Sequence, residues 1–281
     1  MRLGCHVNKY TAKDMPTQIV DTIHKLSEII EIGALSMFLT SPRRMTIYHT
    51  TDELDAIKKI LNMSKITMIL HSSYVVIPWS GNRKVLSHIY SELIKCDKYK
   101  FDGTVIHLPD KPLDEITEIL ELLSYEPETK AKIYFETPPL IRARYATPKQ
   151  LCELYTVMKK FNPTRFAICI DTAHIWISGV DIRSYENASS YLTALVNGGI
   201  DPSDIMFHLN DSIREQHHGP DEHCKLMTGK IWGTYTVVTY QKSGLAAFID
   251  FANRYNSVVI LERNKYDDII DDCILLSKLS P

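Results

Sequence analysis

The chain lacks what would place it in several common classes. Its six cysteines, Cys5, Cys96, Cys152, Cys169, Cys224 and Cys273, are scattered singly and form no CxxC pair. Several lie inside apolar runs, where a reduced cysteine behaves as a small core residue, so a reducing, intracellular setting is expected. Basic charge is not in excess: 32 Lys and Arg face 34 Asp and Glu, for a formal charge of −2. No global basic field advertises nucleic acid, although bound metal ions and local patches are invisible in such a count. No stretch reaches the roughly 18 apolar residues of a membrane span, so no membrane partner is expected. The first residues, "MRLGCHVNKY", lack the apolar core of a signal peptide, and there is no lipidation motif. No linker or low-complexity tract interrupts the 281 residues, so one domain over 1–281 is expected.

What is present is an alternation. Eight short, nearly continuous apolar runs recur: "RLGCHV" (2–7), "GALSMFL" (33–39), "ITMILH" (66–71), "GTVIHL" (103–108), "KIYFET" (132–137), "FAICID" (166–171), "IMFHLND" (205–211) and "SVVILE" (257–262). Strands covered on both faces read this way. The segments between them read as helices. In 147–161, Thr147 is an N-cap with Pro148 at the first helical position, and Leu151, Leu154, Tyr155 and Met158 follow at helical spacing. Ile19, Ile23, Leu26 and Ile30 do the same earlier, as do Leu54, Ile57, Ile60 and Leu61. Eight strand–helix repeats fit an α/β fold of the (β/α)8 TIM-barrel type, which typically needs about 250 residues. A doubly wound open sheet is the runner-up, but the first turn, "HVNKYTAKDMP", has no GxGxxG fingerprint. One connection is irregular: "SIREQHHGPDEHCKLMTGKIW" (212–232) is long, polar and rich in histidine, as functional loops are.

Barrel sites form at the C-terminal ends of the strands. From the third run to the eighth, those ends carry His71, His107, Glu136, Asp171 with His174 just beyond, His208 and Glu262. The long connection adds Asp221 and His223. Each has a plainer reading alone: a rim histidine, Asp171 as a helix cap, or Glu262 in an ion pair with Arg263. Six consecutive runs presenting a metal-capable side chain at the same end weigh against coincidence. Five imidazoles and four carboxylates without thiolates suit zinc or another borderline divalent ion. Nine donors exceed one tetrahedral site and would serve two or three ions, the arrangement used for phosphoester hydrolysis. Three divalent ions would carry the chain from −2 to about +4, which favours a phosphodiester substrate.

The motifs "HSSY" (71–74), "VIHLPD" (105–110), "FET" (135–137), "CIDTAH" (169–174), "MFHLND" (206–211), "PDEH" (220–223) and "ILER" (260–263) occur in an order that resembles the endonuclease IV family of apurinic/apyrimidinic (AP) endonucleases. The likeness covers nearly the whole chain. "CIDTAHIWISGV" and "IMFHLND" are similar to the short versions carried by large DNA viruses such as African swine fever virus. The resemblance implies a TIM barrel with three zinc ions that cuts DNA 5′ to an abasic site and leaves a 3′-hydroxyl. A 3′-phosphodiesterase or 3′–5′ exonuclease activity can accompany such incision. It implies that His71 and His107 bind the first zinc, and that Glu136 bridges it to a second held by Asp171, His208 and Glu262. His174, Asp221 and His223 would hold the third. Glu262 would orient or deprotonate the nucleophile. Arg43 or Arg44, together with Tyr74, would fill the gap left when the abasic nucleotide flips out of duplex DNA. A monomer is implied, acting inside the cell, in host cytoplasm or nucleus or in the virion.

The sequence also departs from that pattern. The "PDEHCKLMTGKIW" stretch keeps the Asp221–His223 pair but lacks the arginine and double histidine of bacterial members, and His217 and His218 precede it instead. His6 resembles a family position without being a ligand. Two rival readings are a xylose-isomerase-like sugar isomerase or epimerase, which would not need His71, His107 or the Asp221–His223 pair, and a non-catalytic protein that binds damaged DNA.

Overall fold

The alternation closes on itself. The computed structural model describes residues 1–7, 19–125 and 129–279, so most of the first strand-to-helix turn lies outside the described residues. The strands are β1 (Arg2–Val7), β2 (Ala34–Phe38), β3 (Thr67–His71), β4 (Gly103–His107), β5 (Lys132–Glu136), β6 (Phe166–Asp171), β7 (Ile205–His208), β8 (Asp211–Ser212), β9 (His223–Cys224) and β10 (Val258–Leu261). Eight of them form a closed barrel in the order β1-β10-β7-β6-β5-β4-β3-β2, and every barrel pair is parallel. This is the (β/α)8 TIM barrel. Most of the expected runs overshoot their strands by a residue at one end or both, and two of the differences bear on the site. The seventh run stops as a barrel strand at His208, and Asp211–Ser212 leaves to pair antiparallel with His223–Cys224. Glu262 stands one residue beyond the end of β10.

Local chemistry sets the helices. Thr147 caps Pro148–Phe161 through a reciprocal box with Gln150, and Leu151, Leu154, Tyr155 and Met158 are its buried face. Thr50 caps Thr51–Met63 in the same way with Glu53. Ile19, Ile23 and Leu26 are buried on Ile19–Ser27, whereas Ile30 lies past the end of that helix. Among the described residues, no helix is long and apolar enough to cross a membrane.

Two apolar layers result. The larger fills the space between barrel and helices. The smaller fills the barrel itself: Ala34, Ile69, Val105, Cys169, Met206, Val258 and Ile260, with Tyr134 packed against them. Side chains alternate across a strand with period two, so the residue two places onward faces the same way, one layer higher. Ile69, Val105, Tyr134, Cys169, Met206 and Ile260 thus predict that His71, His107, Glu136, Asp171, His208 and Glu262 point inward at the barrel's C-terminal mouth.

Closure also needs close backbone approach. A Cβ added at Gly4 would stand 1.5 Å from the Ala34 carbonyl oxygen, on the neighbouring strand. Gly4→Ala should cost about 2–4 kcal/mol of stability, read by chemical denaturation. An unfolding midpoint equal to wild type would refute this account of β1.

Candidate metal centre

The inward layer meets around one carboxylate. Glu136 is fully buried. Its Oε2 faces His107 Nε2 at 2.9 Å and His71 Nε2 at 3.2 Å. Its Oε1 faces His208 Nδ1 at 2.8 Å and His174 Nδ1 at 3.6 Å. His208 Nδ1 is also 3.4 Å from Glu262 Oε2. The ligand-capable atoms of His71, His107 and Glu136 form one group, and those of Glu136, Asp171, His208 and Glu262 form another. Glu136 belongs to both.

The third group comes from a loop. Asp221 Oδ2 lies 2.9 Å from His223 Nε2 and 3.3 Å from His174 Nε2, and Asp171 Oδ2 lies 3.7 Å from His223 Nε2. The β8–β9 ribbon carries His223 to this place. Asp211 locks the ribbon, its carboxylate accepting from the backbone N–H of Ser212 (2.8 Å), Gly229 (3.1 Å) and Ile231 (3.0 Å).

Asp171 does two jobs at once. Its Oδ1 accepts from the backbone N–H of Ala173 (2.7 Å) and His174 (3.0 Å), capping the short helix Thr172–Ile177. Its Oδ2 faces the imidazoles and accepts from Asn210 Nδ2 at 2.6 Å. The cap and the inward donor are different oxygens of one side chain, and the cap aims the second oxygen.

Backbone carbonyls fix the imidazoles. His71 Nδ1 donates to Ser72 O (2.8 Å) and His174 Nδ1 to Thr137 O (2.7 Å), which turns each Nε2 toward the carboxylates of the cluster, where it would bind metal on losing its proton. The electrostatics suit a cation. Burial opposes ionisation of Glu136, but His208 and His107 outweigh it and hold the carboxyl well below its usual range. Burial likewise opposes ionisation of Glu262, yet His208 draws its carboxyl down to about 2. Burial disfavours a charged His174, but Asp171 and Asp221 raise it well above an ordinary histidine. Burial pushes Asp171 upward, and the like charges of Asp221 and Glu262 add to it against the pull of His174 and His223. Four acids at the barrel mouth thus create a potential that favours positive charge, whether carried by protons or metal ions.

Several features were not legible in advance. Asn210 is buried between two acids, donating from Nδ2 to Asp171 Oδ2 and to Glu262 Oε2 (3.2 Å). Its only sequence signal is an amide two places after His208 in "HLND". Arg263 does not pair with the Glu262 carboxylate. It is buried against Asp272 (2.7 Å) and donates to the Glu262 carbonyl (2.9 Å) and Asn210 Oδ1. Cys169 stands near Glu136 and His208, but burial pushes its thiol up to about 12.

The other candidates spread outward. His217 packs its ring on Gly179, and exposed His218 bonds to Gln216 O, so neither enters the cluster. Tyr74 is more than half exposed at the mouth, edge-on to Phe38 and His71 at 5.4 and 5.7 Å. With Asp221, His223, Glu262 and His6 it lines a cavity of about 400 Å³. Arg43 and Arg44 line a neighbouring groove. Ser73 Oγ and Tyr74 N both donate to Pro42 O, which ties the two loops together.

The same barrel recurs in known proteins. No protein-family model matches the chain. A protein of African swine fever virus (isolate Warthog/Namibia/Wart80/1980), described as "Probable AP endonuclease", is 35% identical over 233 residues, covering 81% of this chain and 78% of that protein. The crystal structure of AsfvAP:AG superposes with a TM-score of 0.90 at 30% identity, over 99% of this chain and 98% of that one. Endonuclease IV from Thermus thermophilus superposes with a TM-score of 0.76 at 20% identity, over 99% and 98%, a likeness of fold.

The split role of Asp171 is testable. Asp171→Ser keeps a capping oxygen and Asp171→Ala does not, so the alanine variant should be less stable by about 1 kcal/mol. Both should take up less divalent metal than wild type, measured by mass spectrometry after dialysis. Full metal content in both would leave Asp171 as a cap alone.

Proposed function

The chain belongs to the AP endonuclease family of the endonuclease IV type, and from that premise we propose a zinc-dependent enzyme of base excision repair. The proposed reaction is hydrolysis of the DNA phosphodiester 5′ to an abasic site, leaving a 3′-hydroxyl and a 5′-deoxyribose phosphate. The observation that carries it is the convergence of four carboxylates and five imidazoles on one barrel mouth, in groups joined by Glu136. The donors fit zinc: all nine offer nitrogen or oxygen, and Asp221 Oδ1 is buried without a hydrogen-bond partner among the described residues.

In this reading His71, His107 and Glu136 hold one ion. Glu136, Asp171, His208 and Glu262 hold a second, and His174, Asp221 and His223 a third. Bound zinc supplies an activated water near neutral pH, polarisation of the phosphoryl oxygens and stabilisation of the departing oxygen. The protein's own residues do the rest. Glu136, with Oε2 facing His71 and His107 and Oε1 facing His208, would serve the first two sites together. Glu262 lines the cavity and is held by Asn210, placed to orient the attacking water and take its proton. Tyr74 at the cavity and one of Arg43 and Arg44 in the adjoining groove would offer an aromatic face and a cation to replace lost stacking in a double-stranded substrate.

A duplex oligonucleotide carrying one tetrahydrofuran abasic analogue tests the reading. Wild type should cut it once, 5′ to the lesion. EDTA should abolish cutting and added zinc should restore it. Glu262→Gln should cut at least about 100-fold more slowly while still binding the duplex. Near-wild-type cutting by that variant would remove Glu262 from the chemistry. Zinc-loaded wild type that binds without cutting would favour a non-catalytic damage-binding protein.

A further inference from the structure

Another buried acid lies behind the site, and the chemistry above does not use it. Glu92 is on the helix Arg83–Tyr99 and is 1% exposed. A glutamate is rarely buried so completely unless its neighbours compensate it. Glu92 Oε2 accepts from Ser72 Oγ (2.8 Å) and Thr104 Oγ1 (3.4 Å), and Oε1 lies 3.4 Å from His88 Nε2 one turn back. Ser72 directly follows β3, and Thr104 lies within β4. The carboxylate therefore straddles the two strands that end in His71 and His107.

Ser72 is the link. Its hydroxyl is held by Glu92, and its N–H donates to Val105 O on β4 (2.9 Å). Held from both sides, its carbonyl has little freedom. That carbonyl accepts from His71 Nδ1 (2.8 Å), which keeps a proton on Nδ1 and makes Nε2, which faces Glu136 Oε2 at 3.2 Å, the nitrogen that would bind metal on giving up its own proton. A buried carboxylate is in this way connected, through one hydroxyl and one peptide carbonyl, to the tautomer of a donor imidazole.

We propose that Glu92 is a positioning residue: acting through Ser72, it holds the His71 imidazole in the tautomer and orientation needed to bind metal. The proposal rests on the zinc reading above. A carboxylate that merely braced the helix against the barrel would alter stability and leave His71 unchanged.

The test compares wild type with Ser72→Ala, Glu92→Leu, Glu92→Gln and the double variant Ser72→Ala/Glu92→Leu. Zinc affinity is measured by competition with a chromogenic chelator, and the His71 tautomer by nitrogen-15 NMR of the zinc-stripped protein, titrated upward until the ring is neutral. Wild type should show His71 protonated at Nδ1. Ser72→Ala and Glu92→Leu should each mix the tautomers and weaken zinc binding about 10-fold. Glu92→Gln keeps an acceptor for the Ser72 hydroxyl and should stay within about threefold of wild type. The double variant should be no worse than the worse single, because both act on one link. Unchanged tautomer and affinity in Ser72→Ala and Glu92→Leu would overturn the proposal, as would additive losses. If Glu92→Leu does not fold, Ser72→Ala against Ser72→Thr decides: only the threonine should retain the wild-type tautomer. Failure of wild type to bind zinc would instead sink the functional reading, and the NMR comparison separates the two.

Discussion

A carboxylate buried on the barrel axis needs counter-charge, and the rest of the site answers that need. An isolated ionised acid at the position of Glu136 would be heavily penalised by desolvation. Four imidazoles surround it within 3.6 Å, two near each oxygen. The same arrangement makes Glu136 a natural bridge, since its two oxygens look into two different donor groups. The donor groups of this barrel are thus gathered around one residue of β5. The geometry of β3, β4, β6 and β7 can be read as what is required to bring His71, His107, His174 and His208 to it.

The barrel supplies that geometry cheaply. Each strand donor is the next inward residue above an apolar one, so parallel closure alone brings six of them to a common layer. The remaining donors need extra construction. His174 is reached by turning the chain into a helix immediately after β6, a turn capped by the other oxygen of Asp171. Asp221 and His223 are brought back over the mouth by a two-stranded ribbon whose folding depends on the buried Asp211. Asn210 joins the two systems, bonding Asp171 and Glu262 simultaneously.

Much of this was legible in the sequence, for a physical reason. Short doubly covered strands are nearly all apolar, so an acid or histidine at the end of "FAICID" or "ITMILH" stands out. Period two then says which way it points. The fold and the inward layer followed from local pattern. What did not follow depends on partners far away in the chain. Arg263 looked like the partner of Glu262 but reaches Asp272 instead. The seventh run reads as one strand to residue 211, yet leaves the barrel at His208, and Asp211 pairs with Cys224 of the long connection instead. Local pattern gave His217 and His218 no place, and only the folded chain shows the first packed against Gly179. Ser72 and Glu92 are 20 residues apart, and nothing in either segment announces their hydrogen bond.

The central claim is that these nine side chains form a centre for three ions organised by Glu136. Anomalous diffraction at the zinc absorption edge, on crystals of zinc-loaded protein, tests it most directly. The account predicts three peaks: one among His71, His107 and Glu136, one among Glu136, Asp171, His208 and Glu262, and one among His174, Asp221 and His223. A single peak, or no peak beside Glu136, would contradict it.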